Sequence, residues 1–505
     1  MSDTRERRLT NIQRLVQVLI ICWLVIGQFL QINTGLADTG DYLRSMLIFT
    51  SGPVGVEPVH PSARALQPEL WEKRYFFNWL PYWKLDFPSG VRFWLDEFNS
   101  SSFWLWYPGV LVNWLVYSQN ILYLPSISLL PRLLIILFML LAFWWIDHND
   151  LKPVTRLVLT ITLCIPLALF FVNHNYSVYF NSFFTETALM VYLLAFLASL
   201  IYLRRRPSIW RYATCLLMLF LLSAGKASAA YWPFLALWFV FPIQELFARP
   251  VRYLVRYLAL AAGITALTVT FINPWDWIVP ANVYNSLFNG VLVYSNDVPT
   301  RLEELGMSEA LPCSGEMLWT PSGRECFNTP AIYDKLTFRA VLHVLYKEPH
   351  ITLDLARFAL DRMQITTLKL GTRERGDNGP DLAASGLNIW SRAKLKLFPQ
   401  GYWLAACLLL YLLLFGVVLR GSGFIQELAM VGMLTSIASI FDMAIAVFGE
   451  GRTDIVKHLF FSNYLFDLAT IAAVNVLILL LIDLVTRKSF LRRQWSQKSE
   501  WLLAL

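Results

Sequence analysis

Long apolar runs are the feature that most limits how this chain can fold. Several of them exceed the roughly 20 residues that cross a bilayer as a helix. Hydrophobic residues make up 56% of the 505 residues and charged residues only 15%, whereas soluble chains carry about 25% charged residues. We therefore predict an all-α polytopic membrane protein, which excludes a soluble enzyme and a disordered chain. The runs lie near 12–32, 103–124, 132–147, 154–172, 183–203, 211–223, 229–246, 253–273, 401–420, 424–447 and 461–486.

Basic residues indicate the direction of the helices, because short cytoplasmic loops collect lysine and arginine. If every run crossed the membrane, the cluster Arg204–Arg206 would face outward. The run at 103–124 is the best candidate for a segment that does not cross, since it contains Pro108, three amides and many aromatic residues, a composition that suits an interfacial helix. Without it, about ten spans remain, and both termini and every basic cluster lie in the cytoplasm. The N-terminal run is too long for a signal peptide and is predicted to be the first helix.

The outer side then contains one long loop and one larger region, in which 337–363 has helical apolar periodicity. Cys313 and Cys326 lie in this larger region and either pair or stay reduced, since spacing alone does not show proximity. The predicted parts are an N-terminal transmembrane module at 1–273 with interfacial helices at 40–130, an extracytoplasmic loop domain at 274–400, and the last transmembrane helices with a cytoplasmic tail at 401–505.

Ionisable residues at membrane depth are costly and are often functional. Four polar groups fall on the predicted outer side. The first, GLADTGDYLRSMLIF, contains Asp38, Asp41 and Arg44. The two aspartates either cap a short helix or, in the case of Asp41 above all, provide a general base for a hydroxyl.

The second group is HNYSVYFNSFFTE at 174–186, a loop that enters a helix. It contains His174, Tyr179, Asn181 and Glu186. Glu186 lies in the first turn of a predicted span, where it either complements the helix dipole or takes part in acid–base chemistry. Histidine and carboxylates are also metal ligands, but this spacing has no diagnostic pattern.

The third and fourth groups are basic. Lys226 stands among small residues in LLSAGKASAAYWP, where it either extends to the interface or binds a lipid phosphate as a point charge. Arg452, Lys457 and His458 lie in a late outer loop, where they either pair with neighbouring acids or bind a phosphate. We interpret Asp442, inside a later apolar run, as a hydrogen-bonded core contact.

This combination resembles the GT-C superfamily of membrane glycosyltransferases. PGVLVNW and LYLPSISLLPRLL, within 108–134, look like the second juxtamembrane helix running into helix 2. SAGKASAAYWPFLAL (223–237) looks like the family's lysine motif, and GEGRTDIVKHLFF (449–461) resembles a late outer-loop block of bacterial surface-glycan hexosyltransferases. The resemblance spans most of 1–273 and 440–486. Two features depart from the family: DTGD replaces adjacent acidic residues, and the large outer region is not C-terminal.

The resemblance implies inverting transfer of a hexose from a polyprenyl-phosphate donor to a cell-surface glycan or lipid-linked acceptor, at the outer face of a bacterial inner membrane. Asp41 and Glu186 match the family's loop acids, and Lys226 matches its phosphate-contacting lysine. Membrane lipids are expected partners and nucleic acid is not; no cofactor is firmly indicated, and the need for a divalent cation stays open. The expected donor-phosphate residues are Lys226, Arg452, Lys457 and His458, and the expected substrate-binding residues are Asp38, Arg44, His174, Tyr179 and Asn181.

Two other functions remain open. A lipid-linked sugar transporter or flippase would share the spans, but its polar residues should lie near mid-membrane in broken helices. An O-antigen polymerase or ligase would rely on arginine and histidine in a large outer loop. The outer region offers such residues at Arg339, His343, His350, Arg357 and Arg362.

Overall fold

The structure is a computed structural model that describes residues 2–36, 45, 48–54, 79–86, 100–240, 250–272, 278–363, 386–398, 401–419 and 423–485. Within these ranges most residues are helical. The helices are α1 (Ser2–Leu30), α2 (Ser102–Val116), α3 (Leu129–Asp147), α4 (Pro153–Leu159), α5 (Ile165–Val172), α6 (His174–Ser177), α7 (Glu186–Arg205), α8 (Ile209–Ser223), α9 (Trp232–Val240), α10 (Pro250–Ile272), α11 (Ile278–Phe288), α12 (Val298–Glu304), α13 (Pro321–Asn328), α14 (Pro330–Tyr333), α15 (Phe338–Lys347), α16 (His350–Met363), α17 (Ile389–Leu397), α18 (Gly401–Val418), α19 (Gly423–Glu450), α20 (Ile455–His458) and α21 (Phe460–Val485). The strands are β1 (Thr50–Pro53), β2 (Tyr82–Leu85) and β3 (Ile121–Tyr123).

In the described ranges, eight helical stretches are long and apolar enough to cross a membrane, and the chain is an all-α polytopic membrane protein, as predicted. Two of the ten predicted spans are not among the eight. The run at 211–223 forms α8, which has only 15 residues, and the run at 229–246 is described only as far as Val240. The eight stretches are Thr4–Leu30, Leu124–Asp147, Pro153–Val172, Glu186–Arg205, Val251–Ile272, Gly401–Val418, Gly423–Glu450 and Phe460–Val485.

The helix ends that the sequence assigns to the cytoplasm lie together. Gln13 Nε2 of α1 donates to Asp147 Oδ1 at the end of α3 (2.6 Å). Arg205, at the end of α7, pairs with Glu427 at the start of α19 (2.7 Å), and Trp145 Nε1 donates to the same carboxylate (2.6 Å). The ends of these four helices therefore lie on one side, as the predicted alternation requires. Which end faces the cytoplasm remains a prediction from the basic clusters.

The run at 103–124 forms α2 and then β3 rather than one long helix. Asn113 ends the helix, because its amide nitrogen donates to Ile121 O (2.8 Å) and its oxygen accepts from the Tyr123 N–H (2.9 Å). These bonds turn the chain back towards its own helix. The polar residues that make this run a poor span thus also stop it from forming one.

A small antiparallel sheet, in the order β1–β2–β3, joins the parts of the first outer loop. The sequence does not predict this sheet, because its strands have only three or four residues each. Trp83 of β2 is fully buried and packs edge-on against Phe183, with the ring centroids 5.8 Å apart. The sheet therefore fixes the first outer loop against the segment 174–186.

A buried amide of α21, Asn475, forms hydrogen bonds to the span Pro153–Val172. That span contains a wider π-helical turn between α4 and α5. Pro166 has no N–H, so the carbonyl of Thr162 loses its helical donor. Asn475 replaces that donor: its Nδ2 donates to Thr162 O (3.0 Å), and its Oδ1 accepts from Thr162 Oγ1 (2.7 Å).

The described part of the larger outer region forms a series of helices, from α11 to α17, joined by turns and irregular segments. Helices α15 and α16 confirm the periodicity of 337–363. Cys313 and Cys326 form a disulfide, which decides between the two alternatives that the sequence left open. The boundaries of the three predicted parts stay predictions.

The start of the outer region is packed closely against the end of α19. Ser286 Oγ donates to Phe448 O (2.5 Å). A Cβ on Gly290 would lie 2.9 Å from the Cα of Gly451, and Gly451 itself has a positive φ of 62°. Only glycine suits both positions, because neither a side chain nor an ordinary backbone conformation fits there.

Candidate functional site

An ion pair between Glu186 and Lys226 is the centre of the candidate site. Lys226 Nζ lies 2.8 Å from Glu186 Oε1. Glu186 begins α7 and is 3% exposed, whereas Lys226 follows α8 and is partly exposed. Two of the polar groups that the sequence treats separately therefore meet directly.

Small residues around Lys226 allow this contact. A Cβ on Gly225 would lie 3.1 Å from the Cβ of Ala188 in α7, so the segment after α8 lies in close contact with α7. Ser100, just before α2, holds the same segment, since its Oγ donates to Gly225 O (2.8 Å). Glu186 therefore approaches the Lys226 ammonium closely, and the lipid phosphate expected at Lys226 from the sequence stays a prediction.

Asp442 of α19 is a third ionisable residue close enough to interact electrostatically with both Glu186 and Lys226. Its side chain accepts a hydrogen bond from the backbone of Ser462. Its Oδ2 has no hydrogen-bond partner among the residues that the structure describes. The interpretation of Asp442 as a core contact therefore explains the hydrogen bond from Ser462 but not the unpartnered Oδ2. The available signal was an acid within an apolar run.

The late outer loop lies beside the same ion pair. Lys457 is buried, and its Nζ is 5.3 Å from the ring centroid of Phe184, two residues before Glu186. Phe460 packs on Tyr179 with ring centroids 3.9 Å apart. The second, third and fourth polar groups predicted from the sequence thus converge at one end of the spans.

Two other basic residues of this loop have different contacts. His458 Nε2 lies 2.6 Å from Glu450 Oε2, the mutual pairing that the sequence left open. Arg452 is exposed, and its guanidinium lies 5.4 Å from the ring centroid of Phe358 in α16. For both residues, binding of a donor phosphate stays a prediction.

Tyr179 lies near Glu186 with a fully buried ring. Burial, followed by the negative charge of Glu186, raises the pKa of Tyr179 well above its usual value. The phenol is therefore neutral and keeps its proton to donate. Its hydroxyl has no hydrogen-bond partner within the described ranges, so it remains a candidate for contact with substrate.

His174 and Asn181 hold the end of α1 in place. His174 Nδ1 lies 3.0 Å from Gln31 Oε1. Asn181 Nδ2 donates to Gln31 O (2.8 Å), and its Oδ1 accepts from Arg132 NH2 (3.0 Å). A contact of either residue with substrate stays a prediction, since these bonds alone give both a packing role.

Arg132 is a buried cation outside the four polar groups that were predicted from the sequence. Its guanidinium is fully buried and donates to Ser128 Oγ, Gln28 Oε1 and Asn181 Oδ1, each at 3.0 Å. Each of these acceptors is neutral. Arginine in an otherwise apolar run was the signal that could have identified it.

Asp38, Asp41 and Arg44 lie outside the described residues. The described chain before them ends beside the site: the Leu36 N–H donates to Ser182 Oγ (2.7 Å). Their predicted roles as base and substrate contacts stay predictions.

A second buried ion pair lies on α21, and it too is outside the four polar groups that were predicted from the sequence. Lys394 of α17 pairs with Asp467 at 2.8 Å, and both side chains are almost fully buried. Asp467 also accepts from Tyr176 Oη (2.5 Å) and Trp390 Nε1 (2.8 Å). The pair fixes α17 between α6 and α21.

The outer-region histidines considered for the polymerase alternative have local partners. His343 Nε2 lies 2.9 Å from Glu304 Oε2, and His350 Nε2 lies 3.2 Å from Tyr294 O. Arg362 packs against Phe358 of its own helix. These contacts stabilise the outer region and do not by themselves indicate a site there.

The converging groups provide two chemical properties. Lys226 and Lys457 supply positive charge, which attracts an anion such as a phosphate. Glu186, Asp442 and Tyr179 supply groups that accept or donate protons and hydrogen bonds. Among the described residues, no three histidine, cysteine or acidic side chains are grouped as metal ligands.

Comparison with known proteins identifies a family. A family model described as the YfdI N-terminal transmembrane domain matches residues 3–497. No curated protein and no solved structure matches the chain significantly. The matched range includes every residue of the candidate site.

Proposed function

We propose that this chain, which belongs to the family of the YfdI N-terminal transmembrane domain, is a membrane glycosyltransferase. It moves a hexose from a polyprenyl-phosphate donor to a cell-surface glycan or lipid-linked acceptor, with inversion at the sugar carbon. The reaction takes place at the outer face of a bacterial inner membrane, with both termini in the cytoplasm. The match to a transmembrane family supports a membrane enzyme, and the site supports the chemistry.

The observation that carries this proposal is the 2.8 Å pair between Lys226 and the buried Glu186. A buried carboxylate and an ammonium are costly at a membrane face unless they pair. An incoming donor phosphate competes with Glu186 for Lys226, since phosphate is a strong acceptor of charged hydrogen bonds. Donor binding thus frees Glu186 to accept a hydrogen bond from the acceptor hydroxyl.

The proposed reaction is a single displacement. The acceptor oxygen forms a bond to the sugar carbon while the bond from that carbon to the phosphate oxygen breaks. The hydroxyl proton passes to Asp41, which acts as general base, and the electron pair leaves with polyprenyl phosphate. Lys226 and Lys457 stabilise the charge that develops on this leaving group. Leu36, which precedes Asp41, contacts the segment that leads to Glu186.

The test is an assay of the purified protein with a panel of polyprenyl-phosphate hexoses, in which released polyprenyl phosphate is measured. Wild-type protein should release it only when an acceptor is present. Asp41→Asn should abolish release while leaving thermal unfolding unchanged. Glu186→Gln combined with Lys226→Met should reduce the rate by about 100-fold or more, the usual loss when charge stabilisation of a transition state is removed.

The matched control is Lys347→Ala, which removes an exposed lysine of α15 and should leave the rate unchanged. Retained transfer by Asp41→Asn would remove this residue from the catalytic role. Movement of lipid-linked sugar across the membrane without turnover would favour the transporter. Turnover that needs no polyprenyl-phosphate donor would favour a different enzyme.

A further inference from the structure

Asp442 carries an inference that deepens the proposed function and rests on it. The residue is 5% exposed, yet its Oδ2 has no hydrogen-bond partner within the described residues. We infer that this oxygen accepts a hydrogen bond from a hydroxyl of the donor sugar, so that Asp442 is a sugar-binding residue beside the phosphate-binding Lys226.

A structural aspartate in the same protein looks different. Asp467 lies on the neighbouring helix α21 and is equally buried, but its carboxylate has three side-chain partners, Lys394, Tyr176 and Trp390. Buried polar atoms are normally satisfied in this way, because an unsatisfied one costs free energy. Asp442 departs from that rule at one oxygen, and it does so next to the site.

The charged neighbours of Asp442 are already paired with each other. Lys226 lies 2.8 Å from Glu186, and the two charges act on Asp442 with opposite signs. A sugar hydroxyl brings a hydrogen-bond donor without adding charge, and a carboxyl oxygen can accept it. A hexose attached to a phosphate presents such hydroxyls next to the phosphate.

In this arrangement, two residues bind different parts of the donor molecule. Lys226 contacts the phosphate, and Asp442 contacts the sugar that the phosphate carries. Asp442 should therefore distinguish a lipid that carries a sugar from the same lipid without one, whereas Lys226 should act on both.

The experiment measures binding of two probes, polyprenyl-phosphate glucose and polyprenyl phosphate, to the purified full-length protein in nanodiscs. Galactose and mannose donors replace the first probe if glucose does not bind. Asp442→Asn should weaken binding of the sugar-bearing lipid about tenfold or more, the range expected for a lost hydrogen bond to a charged group. Binding of polyprenyl phosphate should not change.

Thermal unfolding provides a second readout that does not depend on any ligand. Asp442→Asn should leave the unfolding temperature unchanged or raise it, because the substitution removes a buried carboxylate with an unsatisfied oxygen. Asp467→Asn is the matched control and should lower the unfolding temperature, because its partners lose a charged acceptor.

Three results overturn the inference: a lower unfolding temperature for Asp442→Asn like that of Asp467→Asn, equal weakening of both probes, or no weakening of either. The proposed function fails separately, when the wild-type protein binds neither the sugar-bearing lipids nor polyprenyl phosphate. If the wild type binds both probes and Asp442→Asn behaves like it, the glycosyltransferase proposal stands and only the role of Asp442 is lost.

Discussion

Lowering the pH from 7 to 5 should destabilise the protein through His174. The imidazole is 3% exposed. Burial, followed by the positive charge of Arg132, lowers the pKa of His174 from 6.5 to about 4. Between these two values the unfolded chain binds a proton that the folded chain does not, so stability rises with pH there. The contribution of neutral His174 is complete above about pH 6.5 and is lost as the pH falls towards about 4.

The size of the effect follows from the two pKa values. At pH 5 the imidazole is mostly protonated in the unfolded chain and mostly neutral in the folded chain. The folded state is then less stable than at pH 7 by about 2 kcal/mol, and by about 3 kcal/mol once the pH is below 4.

The measurement is the free energy of unfolding of the detergent-solubilised protein at pH 7 and pH 5, from denaturant titrations. His174→Gln should remove the difference of about 2 kcal/mol, because glutamine does not titrate but still has an amide N–H to donate to Gln31. His148→Gln is the control, since His148 is exposed, and it should follow the wild type. If His174→Gln loses as much stability as the wild type between the two pH values, the reasoning is wrong.

Three further substitutions test the packing. Lys394→Met should destabilise the protein by about 3–5 kcal/mol, since it leaves the buried Asp467 without its cation; adding Asp467→Leu should restore much of the thermal stability, and a double variant as unstable as the single one would contradict this. Asn475→Leu should cost about 1–3 kcal/mol in denaturant titrations, because the Thr162 carbonyl loses its donor; an unchanged midpoint would show that another group satisfies it. Replacing both disulfide cysteines by serine should cost about 3 kcal/mol for a loop of this length and speed proteolysis of the outer region, and equal cleavage with and without the bond would refute this.

The spans could be predicted from the sequence because their signal is local. A run of apolar residues predicts the helix, and its flanking charges predict a direction, which stays a prediction here. The strands β1, β2 and β3 could not be predicted, since strands of three or four residues have no readable periodicity. The π-helical turn between α4 and α5 could not be predicted either. Pro166 indicates an irregular turn, but the sequence does not show that Asn475 supplies the missing hydrogen bond.

The residues of the candidate site were easier to predict from the sequence than the contacts between them. Glu186 and Lys226 stand out as charges beside apolar runs, but 40 residues separate them and nothing in the sequence shows that they pair. Asp442 was interpreted as a core contact, and Lys394 and Asp467 were not selected, because the sequence alone does not distinguish a structural charged residue from a functional one. Only their partners in the structure make that distinction.

The attachment of the outer region at both of its ends has a consequence for how such chains diverge. Gly290 meets Gly451 where the region leaves the spans, and Lys394 meets Asp467 where it returns. The segments between these two anchors that do not contact the spans can lengthen or shorten at little cost in closure entropy, whereas α16 packs against the late outer loop through Phe358. Related chains should therefore differ most in those segments, and a grafted insert that keeps both anchors and α16 should still fold onto the same membrane body.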